Sequence, residues 1–214
     1  MTLNLNQLLE ADRTLAVVRA ESISDASQLA AALGRGGIRT LELTFTTPNV
    51  LEHIRRVADT SNEHGVMVGV GTVLTAAQAE AALDAGAQFL VTPGLRPEVA
   101  RVAGERNVPF SLGALTPSEV AQAVDLGSEI VKIFPARHVG PGYLKDLLGP
   151  FPELKLLPSG GINEKNGRRV PGGGGPGSVL RHFRCSADPR GRGRLGPDHR
   201  PRQDVYFITH LIPG

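Results

Sequence analysis

Seven short runs rich in leucine and β-branched residues punctuate the first three quarters of the chain: Thr14 to Arg19, Arg39 to Phe45, Val66 to Val70, Ala87 to Val91, Val108 to Leu112, Glu129 to Phe134 and Lys155 to Ser159. They recur about every 20 to 27 residues, the length of one strand, one helix and two short loops. The segments between them are longer, Ala-rich and amphipathic. Seven βα units in succession restrict the fold to a parallel barrel or a doubly wound sheet. The helices carry legible starts. Thr75-Ala-Ala-Gln78 and Thr116-Pro-Ser-Glu119 are capping-box spellings, and Thr47-Pro48 opens a third helix in the same manner. Gly86, Gly104, Gly127 and Gly149 fall near the expected helix ends, where a left-handed cap favours glycine. Asn4 to Arg13 reads as a short preliminary helix closing one end.

Strand polarity favours the barrel. There the outward side chains lie under helices and are apolar, while the inward ones fill the interior and carry chemistry at the C-terminal mouth. Leu41 and Leu43 share one strand face, with Glu42 and Thr44 on the other; Val131 and Ile133 likewise oppose Lys132. Lys132 is one of only four lysines among 23 basic residues, and it interrupts a run, Ser128 to Pro135, that otherwise reads as a buried strand. An unpaired ammonium is costly to bury, so such a lysine is either paired or neutral, and a neutral amine attacks carbonyl carbon. A strand lysine reaching out to a surface carboxylate is the plainer alternative. With both charges pointing inward, Glu42 and Lys132 read either as a structural salt bridge or as the minimum for Schiff-base chemistry. In the second case Glu42 shuttles protons between the bound oxygens and a water. Phe134 would wall the site and keep its dielectric low.

Glycines gather at the strand ends: Gly69 and Gly71 before Thr72, Gly94 after Pro93, Gly113, and the Ser159-Gly160-Gly161-Ile162-Asn163 string. A Gly-Gly turn leading from a barrel strand into a helix offers backbone N–H groups to a phosphate. Arg19, ending the first run, is either a solvated strand-end arginine or a ligand for a carboxylate or phosphate.

With 214 residues, 41% of them hydrophobic, the chain can bury one substantial core, so one domain is the prior. It lacks the ~18 consecutive apolar residues of a membrane span, and Met1 to Asn6 lacks the basic region of a secretory signal. A soluble cytoplasmic protein is expected. The single cysteine, Cys185, excludes an internal disulfide and a thiolate metal cluster within one chain. Aromatic residues are 4% and there is no Trp, which leaves little for stacking on single-stranded nucleic acid.

Leu41 to Pro48, Val68 to Val73, Val91 to Gly94, Glu129 to Ala136 and Leu157 to Ile162, in this order and spacing, resemble the class I 2-keto-3-deoxy-6-phosphogluconate (KDPG) and 4-hydroxy-2-oxoglutarate (KHG) aldolases. The resemblance covers residues 1 to about 166. It implies a (β/α)8 TIM barrel, usually a homotrimer, that splits a sugar-acid phosphate or keto acid into pyruvate and an aldehyde without cofactor or metal. It implies Lys132 as the Schiff-base lysine and Glu42 as the proton shuttle. Thr72 and Pro93 fall on positions lining the pyruvate moiety, and Ser159, Gly160 and Gly161 on a phosphate-side loop. Some members carry an arginine four residues after the glutamate, contacting the substrate carboxylate; here that position is Thr46, which passes carboxylate binding to Arg19, Thr72 and backbone amides. The enzymatic rival is a phosphate-binding barrel whose lysine acts as an acid or ion-pair partner without covalent catalysis.

From Gly167 the composition changes. Residues 1–166 hold 14 Lys/Arg and 18 Asp/Glu, whereas residues 167–214 hold 9 Arg and 3 Asp, so the basicity belongs wholly to the tail. The tail also has 10 of the 26 glycines and 6 of the 16 prolines, too many breakers for the eighth strand and helix of a barrel. One reading is a basic arm, on a defective barrel, that binds polyanions. The other is a reading-frame error in a GC-rich gene. Residues 167–173 can be encoded so that, one nucleotide along, they spell Ala-Ala-Glu-Tyr-Leu-Ala-Ala, the expected amphipathic helix. Arg181 to Arg190 can become a segment resembling the family's final phosphate loop. The expected organisation is therefore an aldolase barrel over residues 1–166, its eighth unit disrupted, followed by an aberrant tail over residues 167–214.

Overall fold

The computed structural model describes residues 4–161 and the backbone of residues 203–209. Every expected run overlaps a strand: β1 (Thr14–Ala20), β2 (Thr40–Thr44), β3 (Met67–Gly71), β4 (Leu90–Val91), β5 (Phe110–Ala114), β6 (Ile130–Ile133) and β7 (Lys155–Pro158). Around them run α1 (Leu5–Asp12), α2 (Ala26–Arg35), α3 (Val50–His64), α4 (Ala76–Asp84), α5 (Pro97–Glu105), α6 (Pro117–Asp125) and α7 (Gly140–Leu148), with a short 3-10 turn at Ala136–His138. The seven strands pair in chain order and all parallel, with Val17 beside Glu42, Glu42 beside Gly69, and Lys132 between Gly113 and Leu157.

The apolar residues sort into an outer and an inner set, as alternation demands. Leu41 and Leu43 pack outward with Ala30, Leu33, Ile54 and Val57 of α2 and α3. Val131 and Ile133 pack outward with Leu144 and Leu147 of α7. The inner set joins Leu15, Met67, Phe89, Ile130 and Leu157, from the first strand to the seventh, in one cluster. Side chains so many strands apart meet only because the parallel sheet curls around them. Leu5, Leu8 and Leu9 of α1 belong to the same cluster, so α1 plugs the N-terminal end of the curl. Ion pairs fasten it at the feet of two strands, Asp12 with Arg39 at 2.6 Å and Glu10 with Lys155 at 2.8 Å. The C-terminal ends of the strands are left as the mouth.

The capping signals are met in part. Thr116 and Glu119 form the reciprocal box at the start of α6. Thr75 accepts from the Gln78 N–H, but the Gln78 side chain turns to the Leu74 N–H instead of closing the box. Thr47 caps nothing: α3 begins after Asn49, and the Thr47 hydroxyl accepts the Ala20 N–H at 3.3 Å, tying the ends of β1 and β2 together. Gly86 and Gly127 take the expected left-handed conformation, with φ +95° and +88°. Gly104 lies inside α5, and Gly149 stays right-handed at φ −59°.

A further strand, β8 (Gln203–Thr209), lies in the tail, where none of the seven expected runs falls. It pairs antiparallel with β1 along the whole of that strand, so the edge of β1 is covered. Residues 203–209 lie past the last of the closely spaced breakers, Pro201, and five of the seven are β-branched or aromatic. β7 ends the other side of the sheet, and among the described residues there is no parallel eighth βα unit. Residues 162–202 and 210–214, including most of the Gly/Pro/Arg-rich stretch and its frame-shifted reading, lie outside the described residues. Among the described residues no helix is long and apolar enough to cross a membrane.

Candidate active site

Lys132, one residue before the end of β6, and Glu42, two before the end of β2, both point into the curl. Lys132 Nζ lies 3.6 Å from Glu42 Oε1, and their side chains are 8% and 1% exposed. That separation gives strong Coulomb attraction at low exposure but exceeds a normal hydrogen bond. No hydrogen-bond donor among the described residues reaches either Glu42 oxygen. Space for this carboxylate is made by Gly71, where an added Cβ would overlap it. The glycine at the end of β3 therefore makes room for a side chain.

The other expected residues join this pair. Lys132 Nζ stands 5.7 Å from the centre of the Phe134 ring, within cation–π range, and the ring, 38% exposed, forms one wall of the mouth. The ring in turn lies against Gly160, where a Cβ would come within 2.9 Å of it. On the opposite side Thr72 follows Gly71 and accepts a hydrogen bond from Arg19 Nη2 at 3.4 Å. Thr72 has φ +59°, a conformation that costs a β-branched residue of order 1–3 kcal/mol and that tends to mark functional sites. Pro93 backs onto Gly113, whose missing side chain lets the Pro93–Gly94 backbone close against β5 beside Lys132. Ser159 is buried, its N–H donating to Ile133 O at 2.9 Å and its carbonyl accepting the Ala136 N–H at 2.7 Å. Gly160 and Gly161 follow at φ +85° and +80°. Thr46 turns its hydroxyl to Thr44 Oγ1 at 2.9 Å.

Three participants were not legible beforehand. Thr92 Oγ1 donates to Gly94 O at 2.6 Å and accepts from the Gly113 N–H at 3.1 Å, fixing the loop that carries Pro93. Ser111 turns a buried hydroxyl inward that has no partner among the described residues. Arg137 lies along Gly161. Thr92 sat unremarked in the Val91 to Gly94 motif, and Arg137 left a trace as a cation two residues past the Pro that ends the lysine run.

An amine and a carboxylate share a shielded cleft at the mouth of a parallel sheet, with the Gly-Gly turn across the Phe134 ring. The family model described as KDPG and KHG aldolase matches residues 5–170. The chain belongs to the KDPG and KHG aldolase family. It is 38% identical over 161 residues to the 2-dehydro-3-deoxy-phosphogluconate aldolase of Treponema pallidum, covering 75% of this chain and 76% of that one. Among solved structures, the 4-hydroxy-2-oxoglutarate/2-dehydro-3-deoxyphosphogluconate aldolase from TTHB1 is 38% identical with a TM-score of 0.72, covering 78% of this chain and 82% of that one. The KDPG aldolase of Legionella pneumophila, solved with pyruvate captured as a covalent carbinolamine, is 30% identical with a TM-score of 0.65, covering 77% and 79%.

Proposed function

We propose that the chain is a class I aldolase that cleaves 2-keto-3-deoxy-6-phosphogluconate to pyruvate and glyceraldehyde 3-phosphate and, by the same steps, 4-hydroxy-2-oxoglutarate to pyruvate and glyoxylate. The observation that carries this reading is the buried Glu42 carboxylate, 3.6 Å from an amine and with neither oxygen hydrogen-bonded among the described residues. A pair kept only for stability would be expected to close its hydrogen bonds, because burying both charges is otherwise a net cost. Left as it is, the carboxylate can accept a proton from a ligand.

The Lys132 amine adds to the C2 carbonyl to give a carbinolamine, and Glu42 carries the protons that let the C2 hydroxyl leave as water. In the resulting iminium, Glu42 takes the proton from the C4 hydroxyl and the C3–C4 bond breaks. Its electron pair moves into the iminium, leaving an enamine and free aldehyde. Protonation at C3 and hydrolysis of the iminium return pyruvate and the amine. Arg19, Thr72 and Pro93 line the pyruvate end, with Arg19 taking the carboxylate that Thr46 cannot. Phe134 limits water, and Ser159, Gly160 and Gly161 lie on the phosphate side.

The working assembly in this reading is a cofactor-free (β/α)8 barrel, trimeric as is usual in the family. Its catalytic portion is residues 1–166, and the tail after Asn166 is a frame-shifted eighth unit. The family match ending at residue 170 supports that division. Reduction with borohydride in the presence of pyruvate tests the chemistry: the expected result is a reduced pyruvate adduct on the peptide containing Lys132. Trapping on Lys145 or Lys155, or activity abolished by a chelator, would sink the assignment.

A further inference from the structure

We infer that Arg137 recognises the phosphate end of the substrate. The inference rests on the aldolase reading and extends it to a residue that reading does not use. Arg137 lies five positions beyond Lys132 in the 3-10 turn Ala136–His138. Its backbone N–H donates to Gly160 O at 3.0 Å, next to the bond from Ala136 to Ser159, so turn and glycine loop are fastened together. Its side chain runs along the bare face of Gly161: a Cβ at residue 161 would come within 2.6 Å of Arg137 Cβ and 2.8 Å of Arg137 Nε. Glycine at 161 is needed both for its positive φ and to let this arginine lie there. Arg39, Arg56, Arg101 and Arg106 each pair with carboxylates, whereas Arg137 is exposed and pairs with no carboxylate of the described residues.

The sequence of contacts gives the direction. From Glu42 one passes to the Lys132 amine, then to the Phe134 ring, then to Gly160 against that ring, and then to Gly161 with Arg137 beside it. A ligand tethered to Lys132 at its carbonyl carbon and extended along this line carries its phosphate to the glycine loop. There the guanidinium can donate two parallel N–H bonds to phosphate oxygens, which a lone ammonium cannot do. The competing role is packing alone, with the stem of Arg137 covering Gly161 and its head in water.

The test titrates the full chain, Arg137→Gln and Arg137→Lys with 3-phosphoglycerate and with glycerate, alongside pyruvate trapping on the parent chain. The expected outcome is a Kd for 3-phosphoglycerate that rises roughly 10- to 100-fold in Arg137→Gln, the scale for losing a hydrogen bond to a charged group. Arg137→Lys should fall between, and the preference for 3-phosphoglycerate over glycerate should collapse with the charge. An unmoved Kd, an equal loss for glycerate, or a parent chain that does not bind 3-phosphoglycerate overturns the inference. Failure of trapping at Lys132 in the parent chain marks failure of the aldolase reading. Intact trapping with an unmoved phosphate affinity marks failure of this inference alone.

Discussion

Replacing the Glu42 carboxylate by an amide keeps the shape of the site and removes its proton acceptor. In Glu42→Gln the pyruvate adduct at Lys132 should still be trappable, while turnover falls roughly 10²-fold or more, the scale for a lost general acid/base. Near-normal turnover, measured as pyruvate release, would return Glu42 to a structural role. Both charges of this pair were readable from the chain because each interrupts an apolar run on the face opposite its leucines or isoleucines. Their pairing was read from both pointing inward; what was not readable is that the carboxylate's place depends on Gly71 yielding its side-chain volume one strand away. A glycine at a strand end looks the same whether it admits a ligand, a neighbouring side chain, or, as at Gly113, another stretch of backbone.

Elements built from local chemistry were the most legible. The reciprocal cap at Thr116 and Glu119 needs only residues three apart, and it formed as spelled. Backbone N–H groups of Thr116 and Leu115 hold the Glu119 carboxyl below its ordinary range. Because the folded value is the lower one, this group contributes stability above the unfolded value of ~4.3 and loses it as pH falls through the folded value. The stability difference between the parent chain and Glu119→Gln in urea should therefore be present near neutral pH and vanish in acid. Thr116→Ala should cost about 1 kcal/mol near neutral pH. A difference that grows in acid would refute the capping account. Thr47 shows where local spelling fails: the same Thr-Pro signal is taken over by the N–H of Ala20, a residue of another strand. β8 shows a second failure, since composition averaged over the tail concealed a strand-forming heptad near its end.

For the whole molecule, the question is what completes the curl. β8 covers the edge of β1 but runs antiparallel to it, and β7 ends the sheet, whereas a (β/α)8 barrel closes through a parallel eighth strand hydrogen-bonded to both β7 and β1. If the tail is the frame-shifted eighth unit proposed above, restoring the frame after Asn166 should give a protein that melts cooperatively and whose aldolase activity far exceeds that of the written sequence. A written chain that folds cooperatively, is fully active and resists protease through residues 167–214 would make the tail a genuine structural element. The Glu42–Lys132 distance shows how much depends on closure. β2 and β6 are four strands apart, a separation of about 19 Å in a flat sheet. The 3.6 Å gap is what remains of a chord across the arc of strands once the two side chains have reached inward from its ends, so it depends on the curvature of the sheet as well as on the side chains. A small relaxation at each of the intervening ladders lengthens that chord while every neighbouring pair of strands stays hydrogen-bonded. Secondary structure can then persist after Glu42 and Lys132 have parted, so that in the proposed mechanism the rate of proton transfer would gauge the curvature of the sheet.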